Sequence, residues 1–383
     1  MDKGVPMLDT VETLAALVAF PTISADGNEA LIRYVAGRLT AAGGRIHTLA
    51  GAVPGKFNLL ASFGPDTGAG IVLSGHSDVV PVAGQDWHSD PFTLTERDGR
   101  LHARGASDMK GFLAAMLTAA ERCTQDKLTR PLHLAFSYDE EIGCIGVRDL
   151  LDRLRAANFQ AQGCIIGEPT EQRVITGHKG KIDGCICCRG QAAHSANPAL
   201  GCNAIMLAGG MLAEMASLQA ELAFGDRDEA YPFPFTSLHA GMIRGGVARN
   251  VVPDGCDIEF EIRSSSGSHP HMLLARLRAA GELLAASSNG GAVEVRVSNT
   301  YPGLQTDPDA AIVRVALAAA LASETGKVGF GTEGGLFREV LGLETVICGP
   351  GSIDRAHKAD EYVTRAELAD CDGFLDRVVV GLC

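Results

Sequence analysis

Five stretches of the sequence carry side chains suited to metal and acid–base chemistry. They are Ser74-Gly75-His76-Ser77-Asp78, Ser107-Asp108, Asp139-Glu140-Glu141, Gly167-Glu168-Pro169-Thr170, and Gly349-Pro350-Gly351-Ser352 with His357 just beyond. Imidazole and carboxylate are good ligands for Zn²⁺ and its neighbours. Two histidines with three carboxylates are too many for one four-coordinate catalytic ion. They suit two ions sharing a carboxylate and a water, with one acid left over as a base. Each stretch is weak alone, since Asp108 could cap a helix, Glu140-Glu141 could be a solvated turn, and Glu168 or His357 could be structural. The repetition of an apolar strand followed by a polar cluster is what favours a site.

The elements that must position these residues follow from the apolar pattern. Short buried-strand signals at 71–73, 132–138, 164–166 and 345–348 each precede one cluster. The segment 105–111 leads instead into a helix over 108–123, with Ser107 or Asp108 as its N-cap. Helical spacing recurs over 28–42 and 146–157. This is the α/β pattern of a mostly parallel sheet, whose ligands gather at the carboxyl ends of strands. From about residue 180 the pattern changes to strand (181–189), helix (203–223), two strands (236–243 and 256–263), helix (271–287) and strand (293–298). That order, βαββαβ, is ferredoxin-like. A helix over 307–324, the strand at 345–348 and a Thr364-x-x-Glu367 capping box then resume the α/β pattern. The expectation is a discontinuous α/β domain, residues 1–178 and 298–383, with an α+β domain inserted over 179–297.

Composition narrows the function classes. The chain has 383 residues, 46% of them hydrophobic and 21% charged, which suits two domains with sizeable cores and excludes global disorder. Acidic residues outnumber basic ones 46 to 33, and no Lys/Arg run occurs, so neither nucleic acid nor an anionic membrane is an expected partner. The apolar stretch 14–20 is too short to span a bilayer, and with no basic segment before it a signal peptide is not expected. It reads as an amphipathic first helix ended by Pro21. Eleven cysteines in apolar contexts read as buried free thiols in a reducing, cytoplasmic setting. Cys185 and Cys188 form a C-x-x-C, but no second pair stands at zinc-ribbon spacing, and the segment reads as a strand. No Gly-x-Ser-x-Gly, P-loop or dinucleotide glycine fingerprint is present. Trp87 reads as loop packing, and Lys179 as a hinge or structural residue where the inserted domain begins.

The segments SGHSDVVP, GASDMKG, YDEEIG and GEPT resemble, in order and approximate spacing, those of the M20 family of di-metal amidohydrolases. Within that family His178-Lys179-Gly180, the run from Gly331 to Phe337 and the ending through Glu361-Tyr362 look most like the acetylornithine deacetylase branch. The resemblance implies that His76 and Glu168 bind one metal, Glu141 and His357 the other, and that Asp108 bridges them. It implies two divalent ions, zinc by default with cobalt as a substitute. Glu140 would be the general base on a water between them, and Asp78 would orient the His76 ring by accepting its other N–H. The inserted domain would be a lid that also forms a homodimer, with His194 reaching the partner subunit's active site. Asn250 and Arg263 match substrate-contacting lid positions. The implied activity is hydrolysis of N2-acetyl-L-ornithine to acetate and L-ornithine. A desuccinylase, an aminoacylase or a carboxypeptidase are alternatives within the family. A binding protein that has lost its chemistry is an alternative outside that class, and the complete set of five ligands with Glu140 speaks against it. Charge reasoning adds Glu333 as an acid for the substrate's ammonium and Arg263 for its carboxylate. One departure stands out: Ser264-Ser265-Ser266-Gly267 follows Arg263, where relatives often have a proline-containing turn.

Overall fold

A capping box opens the first helix: the Asp9 carboxylate accepts the Glu12 N–H, and the Glu12 side chain accepts the Asp9 N–H. This is α1 (Thr10–Val18), which with α2 (Glu29–Ala41) buries Leu14, Leu17, Leu31 and Val35. The computed structural model describes residues 9–24, 26–123, 128–265 and 268–383, so the first eight residues, read above as part of the N-terminal segment, lie outside the described residues. The chain continues through β1 (Arg45–Ala50), β2 (Phe57–Phe63), β3 (Gly70–His76), β4 (Thr95–Arg97), β5 (Arg100–His102), α3 (Lys110–Cys123), β6 (Leu132–Ser137), α4 (Gly146–Ala156), β7 (Ala161–Ile166) and β8 (Val174–His178). Next come β9 (Gly180–Arg189), α5 (Ala204–Ala223), β10 (Ser237–Gly245), β11 (Gly255–Ser264), α6 (Pro270–Ala286) and β12 (Ala292–Tyr301). The last elements are β13 (Leu304–Gln305), α7 (Ala311–Ala320), β14 (Thr325–Val328), α8 (Gly334–Leu341), β15 (Thr345–Ile347), β16 (Tyr362–Thr364) and α9 (Arg365–Val380).

These elements form two compact units. One contains the residues through Gly177 with Leu304–Gly326 and Thr332–Cys383; the other contains His178–Gly303 with Lys327–Gly331. In the first unit the large sheet runs β1-β2-β6-β3-β7-β15-β8-β13, with β14 paired to β8. Its centre, β6-β3-β7-β15, is parallel, and its flanking pairs β1-β2, β2-β6 and β15-β8 are antiparallel. Strands β3 and β6 are buried along their whole length, as strands covered on both faces must be. Leu73, Leu134 and Ile165 of the sheet share one core with Phe112, Leu113 and Leu117 of α3 and Phe374 of α9. The four parallel strands are those that precede four of the polar clusters, so their carboxyl ends lie along one edge.

The second unit is a four-stranded antiparallel sheet, β10-β11-β9-β12. Ile182, Ile186 and Cys188 of β9 pack with Met211 and Met215 of α5 and Leu277 of α6. The α/β fold with an inserted ferredoxin-like α+β unit is therefore present. The insertion runs to Gly303, because β12 pairs with β9 as far as Tyr301↔Lys181. Helix α7 stops at Ala320, short of 324, where Leu321 turns left-handed (φ 55°). Among the described residues no helix is long and apolar enough to cross a membrane.

One buried side chain of this core sets a pH dependence. His133 on β6 is 7% exposed, with Nδ1 2.8 Å from Ser62 Oγ and its ring edge-on to Phe159. Burial, helped by Arg45, pulls its pKa down from 6.5 to about 4. The unfolded chain therefore takes up a proton below pH 6.5 that the folded chain refuses until about pH 4. Stability is lost as pH falls through that window, by up to about 3 kcal/mol for this residue. Urea unfolding of His133→Gln at a series of pH values should show a shallower acid loss than wild type, and parallel curves would contradict this origin.

Candidate metal centre

His76 is the last residue of β3 and lies opposite Ser137 of β6 in register. Beyond β6 the chain turns sharply through Asp139, whose φ is 53°, and so delivers Glu140 and Glu141. A buried ion pair from Lys56 Nζ to Asp139 Oδ1 (2.6 Å) fixes that turn. Glu168 follows β7, where Gly167 is required by space: a Cβ there would lie 1.9 Å from the Phe112 ring. His357 sits on the loop between β15 and β16 with φ 61°. Asp108 precedes α3, which begins at Lys110, so neither Ser107 nor Asp108 serves as its side-chain cap. Instead their backbone N–H groups both donate to Glu361 Oε1, at 2.9 and 3.0 Å. The Asp108 carboxylate is thereby free for other work.

That work is visible in the distances. Asp108 Oδ1 lies 3.1 Å from His76 Nε2, and Asp108 Oδ2 lies 3.2 Å from His357 Nε2. Glu168 Oε1 is 3.8 Å from His76 Nε2, and Glu141 Oε2 is 3.0 Å from His357 Nε2. The five residues thus form two trios, His76/Asp108/Glu168 and Asp108/Glu141/His357, with donor atoms within 4.8 Å of one another in each and Asp108 common to both. All but His357 are largely buried, and its side chain is 51% exposed. Glu141 Oε1 is buried without a hydrogen-bond partner, which a cation would satisfy. The donor set, two imidazoles and three carboxylates, suits divalent zinc-like ions.

Electrostatics agree with that fit. Burial raises Glu140 to about 8 and Glu141 to about 7, with neighbouring carboxylates adding to both. Burial and Asp108 push Glu168 well up. Asp108 is held low despite its burial, because His357 and His76 donate to it. The same contacts raise His357 to about 10. Crowded acids that share protons with two histidines are what cations would neutralise, displacing those protons.

The surrounding residues refine two expected roles. His76 Nδ1 is 2.9 Å from the main-chain carbonyl of Asp78 and 3.5 Å from its carboxylate, so the carbonyl is the nearer acceptor for the ring. The Asp78 carboxylate, besides facing the ring, accepts the N–H groups of Glu140 (3.1 Å) and Glu141 (3.3 Å) and the Ser24 hydroxyl. It ties the His76 loop to the Glu140 turn. Glu361, which belongs to none of the five clusters, is 1% exposed and pairs with Arg104 at 2.6 Å while holding the Asp108 backbone. Trp87 stacks over the Arg104 guanidinium at 5.1 Å, and Gln85 links Arg104 to the His357 carbonyl.

Residues 72–380, which include both donor trios and Glu140, match the profile of peptidase family M20/M25/M40. The chain belongs to this family. It is similar, at 39% identity over 378 residues and 97% of both chains, to an acetylornithine deacetylase of Myxococcus xanthus. It is 34% identical over 385 aligned residues, again 97% of both, to an acetylornithine deacetylase of Klebsiella pneumoniae (strain 342). Among solved structures, an M20 family metallo-carboxypeptidase from Sulfolobus solfataricus superposes with a TM-score of 0.80 at 17% identity, covering 97% of this chain and 99% of that one. As an M20 member the chain is a hydrolase of amide bonds.

The remaining expected site residues of this M20 chain fall into two groups. Glu333 lies in the first unit and is 1% exposed, with Oε2 3.4 Å from Ser74 Oγ and Oε1 buried without a partner. It is not a solvated loop acid, and burial raises it to about 7. His194, Asn250 and Arg263 lie in the second unit. His194 and Asn250 are exposed, and His194 pairs across a bridge with Val251. Arg263 is held by Glu261 at 2.7 and 3.0 Å and by the Tyr301 hydroxyl at 3.1 Å. Of the serine-rich turn, Ser264 ends β11 and the Ser265 N–H donates to Thr236; Ser266 and Gly267 lie outside the described residues.

Proposed function

We propose that this chain hydrolyses the acetyl amide of N2-acetyl-L-ornithine, releasing acetate and L-ornithine. The observation that carries the reading is Asp108, whose two carboxylate oxygens face two separate donor trios beside an uncommitted Glu140. His76 and Glu168 would hold one divalent ion and Glu141 and His357 the other, with Asp108 between; zinc suits the set and cobalt could replace it. When bound, the two ions acidify water and polarise a carbonyl.

The protein's own part is proton handling and placement. Glu140 takes a proton from the attacking water as its oxygen bonds to the amide carbon. The C–N bond then breaks, and Glu140 returns the proton to the leaving nitrogen. Asp78 fixes Glu140 through its backbone N–H. The unpartnered Glu333 oxygen supports its role as acceptor for the substrate's side-chain ammonium. Arg263 would share its guanidinium between Glu261 and the substrate carboxylate; Asn250, in the loop between β10 and β11, would make a separate substrate contact. We also propose a homodimer through the second unit that brings His194 to the partner's centre. Exposed Met206, Met242, Ile243 and Val247 on that unit support it.

A substrate panel tests the reading. N-acetylornithine should be turned over faster than N-succinyl-diaminopimelate, N-acetylmethionine and a dipeptide, and Glu333→Gln should narrow the margin over N-acetylmethionine. Preference for the succinylated substrate would overturn the assignment of the acyl group. An unchanged margin in the variant would remove Glu333 from substrate recognition.

A further inference from the structure

The second unit carries a donor cluster unlike the first. Cys185 and Cys187 stand two residues apart on β9, so their side chains share one face of the sheet. Their Sγ atoms are 3.4 Å apart. Asp257 on β11 is the register partner of Cys187, and the Cys187 thiol hydrogen-bonds its carboxylate. One donor atom from each of the three lies within 4.8 Å of the others. Cys188 points the other way, fully buried in the core beneath α5. The C-x-x-C spacing therefore divides its sulfurs between opposite faces, and the C-x-C spacing is the one that converges.

Further carboxylates stand beside this cluster. Glu259 is the register partner of Cys185, and Glu294 on β12 that of Cys187. Two guanidiniums border the cluster: Arg296 pairs with Glu294 at 2.6 Å, and Arg189 pairs with Asp257 itself at 2.5 Å, so an ion must take a carboxylate oxygen from Arg189. Cys185 is half-buried while Cys187 is 5% exposed, which gives an ion a route from solvent past the outer sulfur.

We propose that Cys185, Cys187 and Asp257 form a binding site for a soft, thiophilic divalent cation, distinct from the histidine–carboxylate centre. Two sulfurs and a carboxylate supply three ligands, and water at the Cys185 side supplies the fourth of a tetrahedral set. Thiolate donors select zinc-like and cadmium-like ions over hard ones. Binding replaces the two S–H protons with two metal–sulfur bonds, so two protons leave for each ion bound. Because uptake releases protons, binding strengthens as pH rises.

Cd²⁺ titrated into holoenzyme carrying only the two zinc ions of the histidine–carboxylate centre tests this, because sulfur-to-cadmium charge transfer absorbs in the ultraviolet and a nitrogen–oxygen centre gives no such band. A band saturating at about one equivalent, with about two protons released, is expected. Cys185→Ser and Cys187→Ser should each abolish it with hydrolytic turnover unchanged, and Asp257→Asn should weaken binding about tenfold. Cys383→Ser, at the exposed thiol, should leave the band intact. Cys185→Ser keeps the test decisive if Cys187→Ser does not fold. Absence of the band, or its survival in Cys185→Ser, would overturn the proposal.

Discussion

Glu140→Gln should fold, keep its metal, and turn over the proposed substrate N-acetylornithine about 10²–10⁴-fold more slowly than wild type, the usual contribution of a positioned general base. The size of the effect follows from where Glu140 stands. Its backbone is held by Asp78, its Oε1 accepts only the Cys144 thiol at 3.2 Å, and it belongs to neither donor trio. Gln keeps the shape and cannot take a proton. Its burial among acids raises Glu140 to about 8, and two nearby cations would draw that value down toward neutrality, where a base works best. Single-turnover kinetics with metal analysis on the same sample checks this. A variant within about threefold of wild type would mean that another group moves the proton; a variant that loses metal would make Glu140 a ligand.

Glu361→Gln destabilises the protein by about 3–5 kcal/mol, the range for breaking a buried ion pair by removing one partner. Both Glu361 and Arg104 are 1% exposed, so the variant leaves the Arg104 guanidinium buried without its counter-charge. The loss reaches the metal centre, because Glu361 Oε1 also accepts the N–H groups of Ser107 and Asp108. A loosened Asp108 serves both trios less well, so metal affinity falls along with stability. Urea unfolding and metal retention after gel filtration measure the two effects. A change under about 1 kcal/mol with full metal retention would show that the pair is not what holds Asp108.

The contrast between Glu140 and Glu361 explains what the sequence discloses. Glu140, Glu141, His76 and Glu168 are legible because each follows an apolar strand, and adjacent parallel strands bring such ends together. Glu361 acts through two backbone N–H groups more than 250 positions away, and no spacing rule reaches that far. The same logic applies to Asp78, whose carboxylate lies 3.5 Å from the His76 ring and also accepts the N–H groups of the Glu140 turn, a link that no spacing announces. The early end of α7 rests on a left-handed leucine, a conformation that residue type does not announce. The short strands β8 and β14 and the helix α8 lack enough periods to stand out from loops. The cysteines of β9 show the reverse case. The familiar C-x-x-C spacing draws the eye, yet the two-residue period of a strand makes Cys185 and Cys187 the converging pair.

In the proposed mechanism two divalent ions, held in the His76/Asp108/Glu168 and Asp108/Glu141/His357 trios, are required for amide hydrolysis. Removing metal with a chelator and assaying N-acetylornithine hydrolysis before and after adding back zinc tests it most directly. The stripped protein should be folded and inactive, and zinc should restore turnover to its starting value. Turnover that survives complete removal of metal would contradict it.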